Sequence, residues 1–146
     1  MSTVEPTRPR PTIGVDSAPF WEYVARRELR VQRCTGCGAL RLPPGPVCRR
    51  CWSDDHVWIP VSGRGVLHSW VTFHRQYHPA FPVPYTIGLV ELAEGPRIEA
   101  PIVETNPKDL AWRRAVELVW QEHDGFVVPA FRIAPDPADD TPEDDA

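Results

Sequence analysis

Four cysteines occur as two C-x-x-C units, Cys34-Thr-Gly-Cys37 and Cys48-Arg-Arg-Cys51, with ten residues between them. Two residues between paired cysteines let one tight turn present both sulfurs to a single ion. Gly38 can adopt a positive φ that turns backbone N–H groups toward the thiolates. Two such turns facing one another make a closed tetrahedral site with no position left for a substrate. The pattern predicts one structural zinc ion on Cys34, Cys37, Cys48 and Cys51, with rubredoxin-like iron or a redox dithiol pair as the competing readings. Four thiolates around a divalent ion leave a charge of about −2. Arg33, Arg49 and Arg50 beside the ligands would partly neutralise it and depress the thiol pKa values.

Little else in the chain could do chemistry. The quartet uses every cysteine, and there is no G-x-S-x-G elbow or Walker loop. Gly63-Arg-Gly65 lacks the third glycine of a dinucleotide fingerprint and leads into a strand instead of a helix. His68 and His74, on a shared strand parity with Trp70 and Thr72, could join Glu91 or Glu99 as an acid–base or second metal site. The simpler reading places them at partly exposed strand and loop positions, and catalysis by this chain alone is not expected. Aromatic residues such as Trp58, Trp70, Phe73 and Tyr85 suit a barrel core or a protein interface.

The charge distribution argues against a nucleic-acid track. Of 20 acidic residues, six lie between Asp136 and Ala146, leaving 14 against 16 basic residues in the body, with Lys108 the only lysine. A nearly neutral body makes no electrostatic case for nucleic acid or an anionic membrane surface.

The elements that would position the cysteines can be read from periodicity. Asp16 or Ser17 can cap a short helix with Pro19 in its first turn, and Phe20, Trp21 and Val24 form its apolar stripe, ending near Arg27. Leu29–Arg33 and Ala39–Leu42 read as short strands flanking the first cysteine pair, and the Pro43-Pro44-Gly45-Pro46 turn precedes the second. Strand-like stretches follow at Val57–Val61, Gly65–Tyr77, Tyr85–Leu92, Arg97–Glu104, Arg114–Glu122 and Phe126–Ile133, with one turn of helix or a loop at 106–111. Short alternating strands punctuated by Gly and Pro predict a β-barrel, with Gly63 and Gly65 at a corner. The expected domains are a flexible arm at 1–16, helix and zinc ribbon at 17–56, barrel at 57–134 and an acidic disordered tail at 135–146. No apolar run spans a membrane and no leader peptide is recognisable, so the expected compartment is the cytoplasm, where thiols stay reduced and paired cysteines read as a metal site.

Several runs together resemble one family. They are Phe20-Trp21-Glu22, Leu29-x-x-Gln32-x-Cys34-x-x-Cys37-Gly38, Pro43-Pro44 and Cys48-x-x-Cys51. Ser62-Gly63-Arg64-Gly65, Pro84-Tyr85, Val90-Glu91-Leu92 and Phe131-Arg132 complete the pattern. The chain is similar, over residues 18–134, to the acyl-CoA-associated zinc-ribbon plus OB-fold proteins called domain of unknown function 35. The resemblance implies a mainly β fold: a short N-terminal helix, a rubredoxin-like zinc ribbon and a C-terminal OB-fold barrel. It implies a non-catalytic accessory subunit of a thiolase-like acyl-CoA enzyme, whether thiolase, condensing enzyme or steroid side-chain aldolase. The partner would be a thiolase-fold subunit in a hetero-oligomer, with acyl-CoA at the shared interface. Arg41, Arg49, Arg50 and Arg64 are candidates to meet a CoA phosphate or an acidic partner surface, the simpler reading of each being a solvated arginine. Arg49 and Trp52 stand where the family usually has Pro and Gly, and Leu110-Ala111-Trp112 replaces a common glycine. Trp52 and Trp112 would then be interface anchors or packed residues. The alternative function is a single-stranded nucleic-acid-binding OB-fold with a zinc ribbon.

Overall fold

A computed structural model describes residues 6–135. The acidic tail from Asp136 onward and the first five residues of the arm lie outside the described residues. The first element, α1 (Ala18–Ala25), carries Pro19 in its opening turn and buries Phe20 and Val24, one helical turn apart. Ser17 stands at the N-cap position, but its hydroxyl does not cap the helix. It turns back to accept from the Gly14 N–H at 2.9 Å. The helix stops where Arg27 takes φ 60°. Arg27 N–H then bonds Val24 O and Glu28 N–H bonds Tyr23 O, the paired closure of a Schellman motif with arginine in the glycine position.

The ribbon is a three-stranded sheet of β1 (Arg30–Cys34), β2 (Leu40–Arg41) and β3 (His56–Pro60) in the order β2-β1-β3. Val57–Val61, grouped by the sequence with the barrel strands, is instead the long partner of β1, from Arg30 opposite Pro60 to Cys34 opposite His56. Alternation marks a strand but carries no information about its neighbour, so this pairing had to come from the tertiary structure.

Five further strands close a barrel: β4 (Arg64–Phe73), β5 (Tyr85–Leu92), β6 (Arg97–Ile102), β7 (Ala115–His123) and β8 (Phe126–Ile133). Their order β4-β5-β6-β8-β7 returns to β4, through antiparallel pairs and one parallel bridge, Ile102 opposite Phe131. This is the Greek-key closure of an OB-fold. The long strand expected at 65–77 ends at Phe73 and breaks register between Leu67 and Ser69. The turn expected at 106–111 contains a single 3₁₀ turn, Pro107–Asp109, capped by Asn106.

The core is one cluster spanning all three parts. It holds Phe20 and Val24 of α1, Leu29 and Val31 at the ribbon base, and Leu67, Val90, Val116 and Phe131 of the barrel. Residues 6–16, expected as a flexible arm, form no helix or strand but touch the β7–β8 turn. Arg8 N–H donates to Asp124 Oδ2 at 3.0 Å, and Arg10 Nη2 to Asp124 O at 3.2 Å. No helix among the described residues is long and apolar enough to cross a membrane.

Gly65 sits where β4 is paired on both sides, opposite Leu92 and Val116. A Cβ there would collide with the backbone oxygen of Glu91 and come within 2.9 Å of Val90 Cγ1. Gly65→Ala is therefore expected to lower stability by about 1–3 kcal/mol, the range for overpacking a fitted interior. Denaturant unfolding of the metal-loaded protein measures this, and an unchanged midpoint would contradict the corner assignment.

Candidate metal centre

Cys34 closes β1, and the chain turns at once so that Gly38 N–H bonds Cys34 O at 2.9 Å with Gly38 at φ 78°. The second knuckle repeats this closure: Trp52 N–H bonds Cys48 O at 2.8 Å, with Trp52 at φ 64°. The position that mirrors Gly38 is therefore left-handed too, and an exposed tryptophan occupies it at a strain cost of about 1–3 kcal/mol. Gly36 lies against the sulfurs: a Cβ there would stand 3.3 Å from Cys51 Sγ and 3.6 Å from Cys34 Sγ.

The four sulfurs lie within 4.8 Å of one another, with Cys34 to Cys51 at 3.4 Å and Cys37 to Cys48 at 3.6 Å. These separations far exceed a disulfide bond of about 2.05 Å. They approach the edge of about 3.8 Å of a tetrahedron with metal–sulfur bonds near 2.3 Å. Electrostatics reach the same conclusion. A backbone N–H from Cys37 is the main cause lowering the Cys34 pKa. N–H groups of Cys51 and Arg50 draw Cys48 down to about 6. Cys51 is pushed up to about 11: a lowering donor at Ser53 is outweighed by its neighbouring thiols, Cys34 first, and by burial. Without a cation the quartet cannot hold four negative charges at once. A divalent ion lets all four ionise, so the donor set fits a structural four-thiolate metal site.

Behind the site lies a residue whose role sequence reasoning missed, Gln32, only 1% exposed. Its Oε1 accepts from Arg41 Nε at 2.6 Å and from Gly45 N–H at 3.0 Å, and its Nε2 lies 3.3 Å from His56 Nε2. Arg41 Nη2 also donates to Gly45 O at 3.0 Å. This network ties the inter-knuckle loop to β1. Its sequence signal was its place in the Leu29-x-x-Gln32-x-Cys34 run, next to the apolar Val31 and two residues before the first ligand.

The four candidate arginines occupy three places. Arg41 is half-buried and turned toward Gln32, Arg49 and Arg50 are exposed on the second knuckle, and Arg64 is exposed at the start of β4. The histidine site does not form. The register break falls at His68, which upsets the shared parity, and His74 lies beyond the end of β4. Glu91 faces Arg97 at 3.5 Å instead. Among the described residues, the cysteine quartet is the sole group of three or more His, Cys, Asp or Glu side chains close enough to share a metal. Trp52, Tyr77 and Trp112 are exposed.

Two family profiles match the chain: the rubredoxin-like zinc ribbon domain of ChsH2 at residues 21–57 and the C-terminal OB-fold domain of ChsH2 at 58–121. A relative named probable enoyl-CoA hydratase alpha subunit, from Thermomonospora curvata, is 41% identical over 87% of this chain, which spans 40% of that relative's length. The benzoylsuccinyl-CoA thiolase subunit BbsA of Thauera aromatica is 36% identical over 49% of this chain and 49% of its own. A solved structure described as an Ltp2-ChsH2(DUF35) aldolase superposes with TM-score 0.82 at 39% identity, covering 86% of this chain and all of the other.

Between Cys34 and Cys51 the only fully buried apolar or thiol side chains are Cys34 and Cys48, with Leu40 and Leu42 partly buried against the core that holds Leu29 and Val31. Removing the ion with a strong chelator should release residues 35–55 and leave the barrel folded. Hydrogen exchange is expected to show the knuckles losing protection while β4–β8 keep theirs, and equal protection in both states would rule this out. Trp52→Gly should retain the metal and raise the chelator concentration needed for release, since it relieves about 1 kcal/mol or more of backbone strain. Easier release would mean that the indole packs against something the isolated ribbon needs.

Proposed function

The chain belongs to the ChsH2 family of zinc-ribbon plus OB-fold proteins, also called domain of unknown function 35, and from that premise we propose that it is a non-catalytic accessory subunit of an acyl-CoA enzyme. One observation carries the reading. Proteins named as a hydratase subunit, a thiolase subunit and an aldolase all share sequence with this chain, and these are three different reactions. A part held in common across different chemistries supports binding and assembly, with the reaction-specific groups supplied elsewhere.

The proposed partner is a thiolase-fold subunit in a hetero-oligomer, supported by the thiolase-subunit relative and by the aldolase structure. The proposed metal is zinc: four thiolates in a closed tetrahedron suit a borderline-soft d¹⁰ ion that needs no redox change. The reduced cytosol is the proposed compartment, because free thiols persist there. Arg49, Arg50 and Arg64 remain proposed contacts for a CoA phosphate or an acidic partner surface. Arg41 is the weakest of the four for that role, because Gln32 and Gly45 already engage its guanidinium.

Capture of the tagged protein from its native extract in zinc-containing buffer, followed by native mass spectrometry, tests the reading. A stoichiometric thiolase-fold partner and one zinc per chain are expected. Recovery of the chain alone, or with bound nucleic acid, would overturn the accessory-subunit reading. One iron and no zinc would overturn the metal assignment alone.

A further inference from the structure

The loop before β7 carries three cations, Lys108, Arg113 and Arg114, the first two exposed and the third half-buried. None of them makes an ion pair among the described residues. Asp109 is the one acid within this loop, while Glu104 and Glu117 on either side are both engaged by Arg132, at 2.9 and 2.8 Å. Arg114 N–H bonds Ala111 O at 3.1 Å, so Trp112 and Arg113 form the tip of a turn. Arg113 is held there at φ 63°, with its guanidinium 5.5 Å from the indole ring centre of Trp112, and Trp112 is 67% exposed. The turn is fastened to β4: Arg113 N–H bonds Leu67 O at 2.7 Å, and Leu67 N–H bonds Arg114 O at 2.9 Å. A left-handed arginine persists only where its surroundings enforce it.

Beyond Leu67, β4 has no backbone partner on that side. Residues 69–73 pair only with β5 among the described residues, and Ser69, Trp70 and Val71 are all exposed. These five residues carry no charge and no proline, which leaves an open strand edge that another segment can approach.

The C-terminal strand points at this surface. β4 and β8 are each antiparallel to β7, so they run in the same direction. Ile133 lies opposite Val116, and Ala134 N–H then bonds Ala115 O at 3.0 Å. Continuing that register leads past Arg114 and Arg113, toward the side on which β4 is open. The segment 136–146, outside the described residues, holds six acidic residues and no basic one. Extended at about 3.3 Å per residue it spans about 36 Å, ample to cross a turn that begins beside its root. Pro137 and Pro142 make it a poor strand, so what it brings is side-chain charge.

We propose that the acidic segment 136–146 docks on its own chain at Lys108, Arg113 and Arg114, shielding Trp112 and the open edge of β4. Single exposed ion pairs are weak, but a segment tethered at the site meets three cations at an effective concentration in the millimolar range. The surface is then open only to a partner that displaces the tail. The inference does not depend on the accessory-subunit reading.

Amide NMR spectra of the full-length, zinc-loaded protein test the proposal. The comparison is with a variant in which Asp139, Asp140, Asp144 and Asp145 are replaced by asparagine and Glu143 by glutamine. Signals of residues 108–115 and 69–71 and the Trp112 indole are expected to shift between the two proteins, while those of the knuckles stay in place. In about 1 M sodium chloride, where the screening length is about 3 Å, the difference should be lost. Lys108→Glu combined with Arg113→Glu should reproduce the shifts of the neutral-tail variant. Should that variant fail to fold, the tail substitutions and the salt dependence still decide, since neither alters a helix or strand. Unchanged signals at 108–115, or shifts that persist in high salt, would overturn the proposal. Shifts centred instead on Arg49 and Arg50 would also overturn it. Shifts that grow with protein concentration would assign the surface to a second copy and overturn the intramolecular contact.

Discussion

Phe131 is fully buried on β8, in the same core cluster as Val24 from the helix and Val31 from the ribbon. The same residue makes the parallel bridge to Ile102 that closes the barrel. Everything else in the fold depends on this junction. A helix of eight residues cannot hold itself together in water, and neither can a ribbon with two-residue and five-residue strands. Each is ordered because one apolar side is inserted into the core that the barrel completes. The ribbon is thus rooted in the barrel at its base, and only its far end relies on something else.

That far end is governed by charge. The two knuckles bury almost nothing apolar, so apolar burial cannot order them. Four thiols crowded together resist full ionisation, and the split between Cys48, drawn down to about 6, and Cys51, pushed up to about 11, expresses that resistance. A divalent ion converts the conflict into four bonds. The Gln32 network then connects the metal-dependent region to the core-dependent one, since its donors come from Arg41 on β2 and Gly45 of the loop after it, while Gln32 itself lies on β1 beside Val31.

Among the described residues the histidines read from strand parity do not come together with a carboxylate as one cluster. The register break at His68 and the early end of β4 separate the histidines that strand parity had aligned. What the fold assembles instead is an apolar cleft edged by arginines, built where arm, helix, loop and barrel meet.

The cysteine quartet, the helix and the existence of nearly every strand were legible in the sequence, because each rests on local physics: C-x-x-C spacing, Pro19 beside a helical stripe, and period-two alternation between glycine and proline stops. The OB-fold itself was reached through the family resemblance. Three things came only from the tertiary structure. Val57–Val61 pairs with β1, because hydrogen-bond partners in a sheet are chosen over long range. Arg41 turns inward to Gln32, because one arginine in a short strand looks like any other until its neighbours are known. The cleft beneath Arg8 and Arg10 is made by segments from both ends of the chain, so no local pattern could announce it. Local chemistry was written in spacing, while the site formed by distant segments existed only once they were packed together.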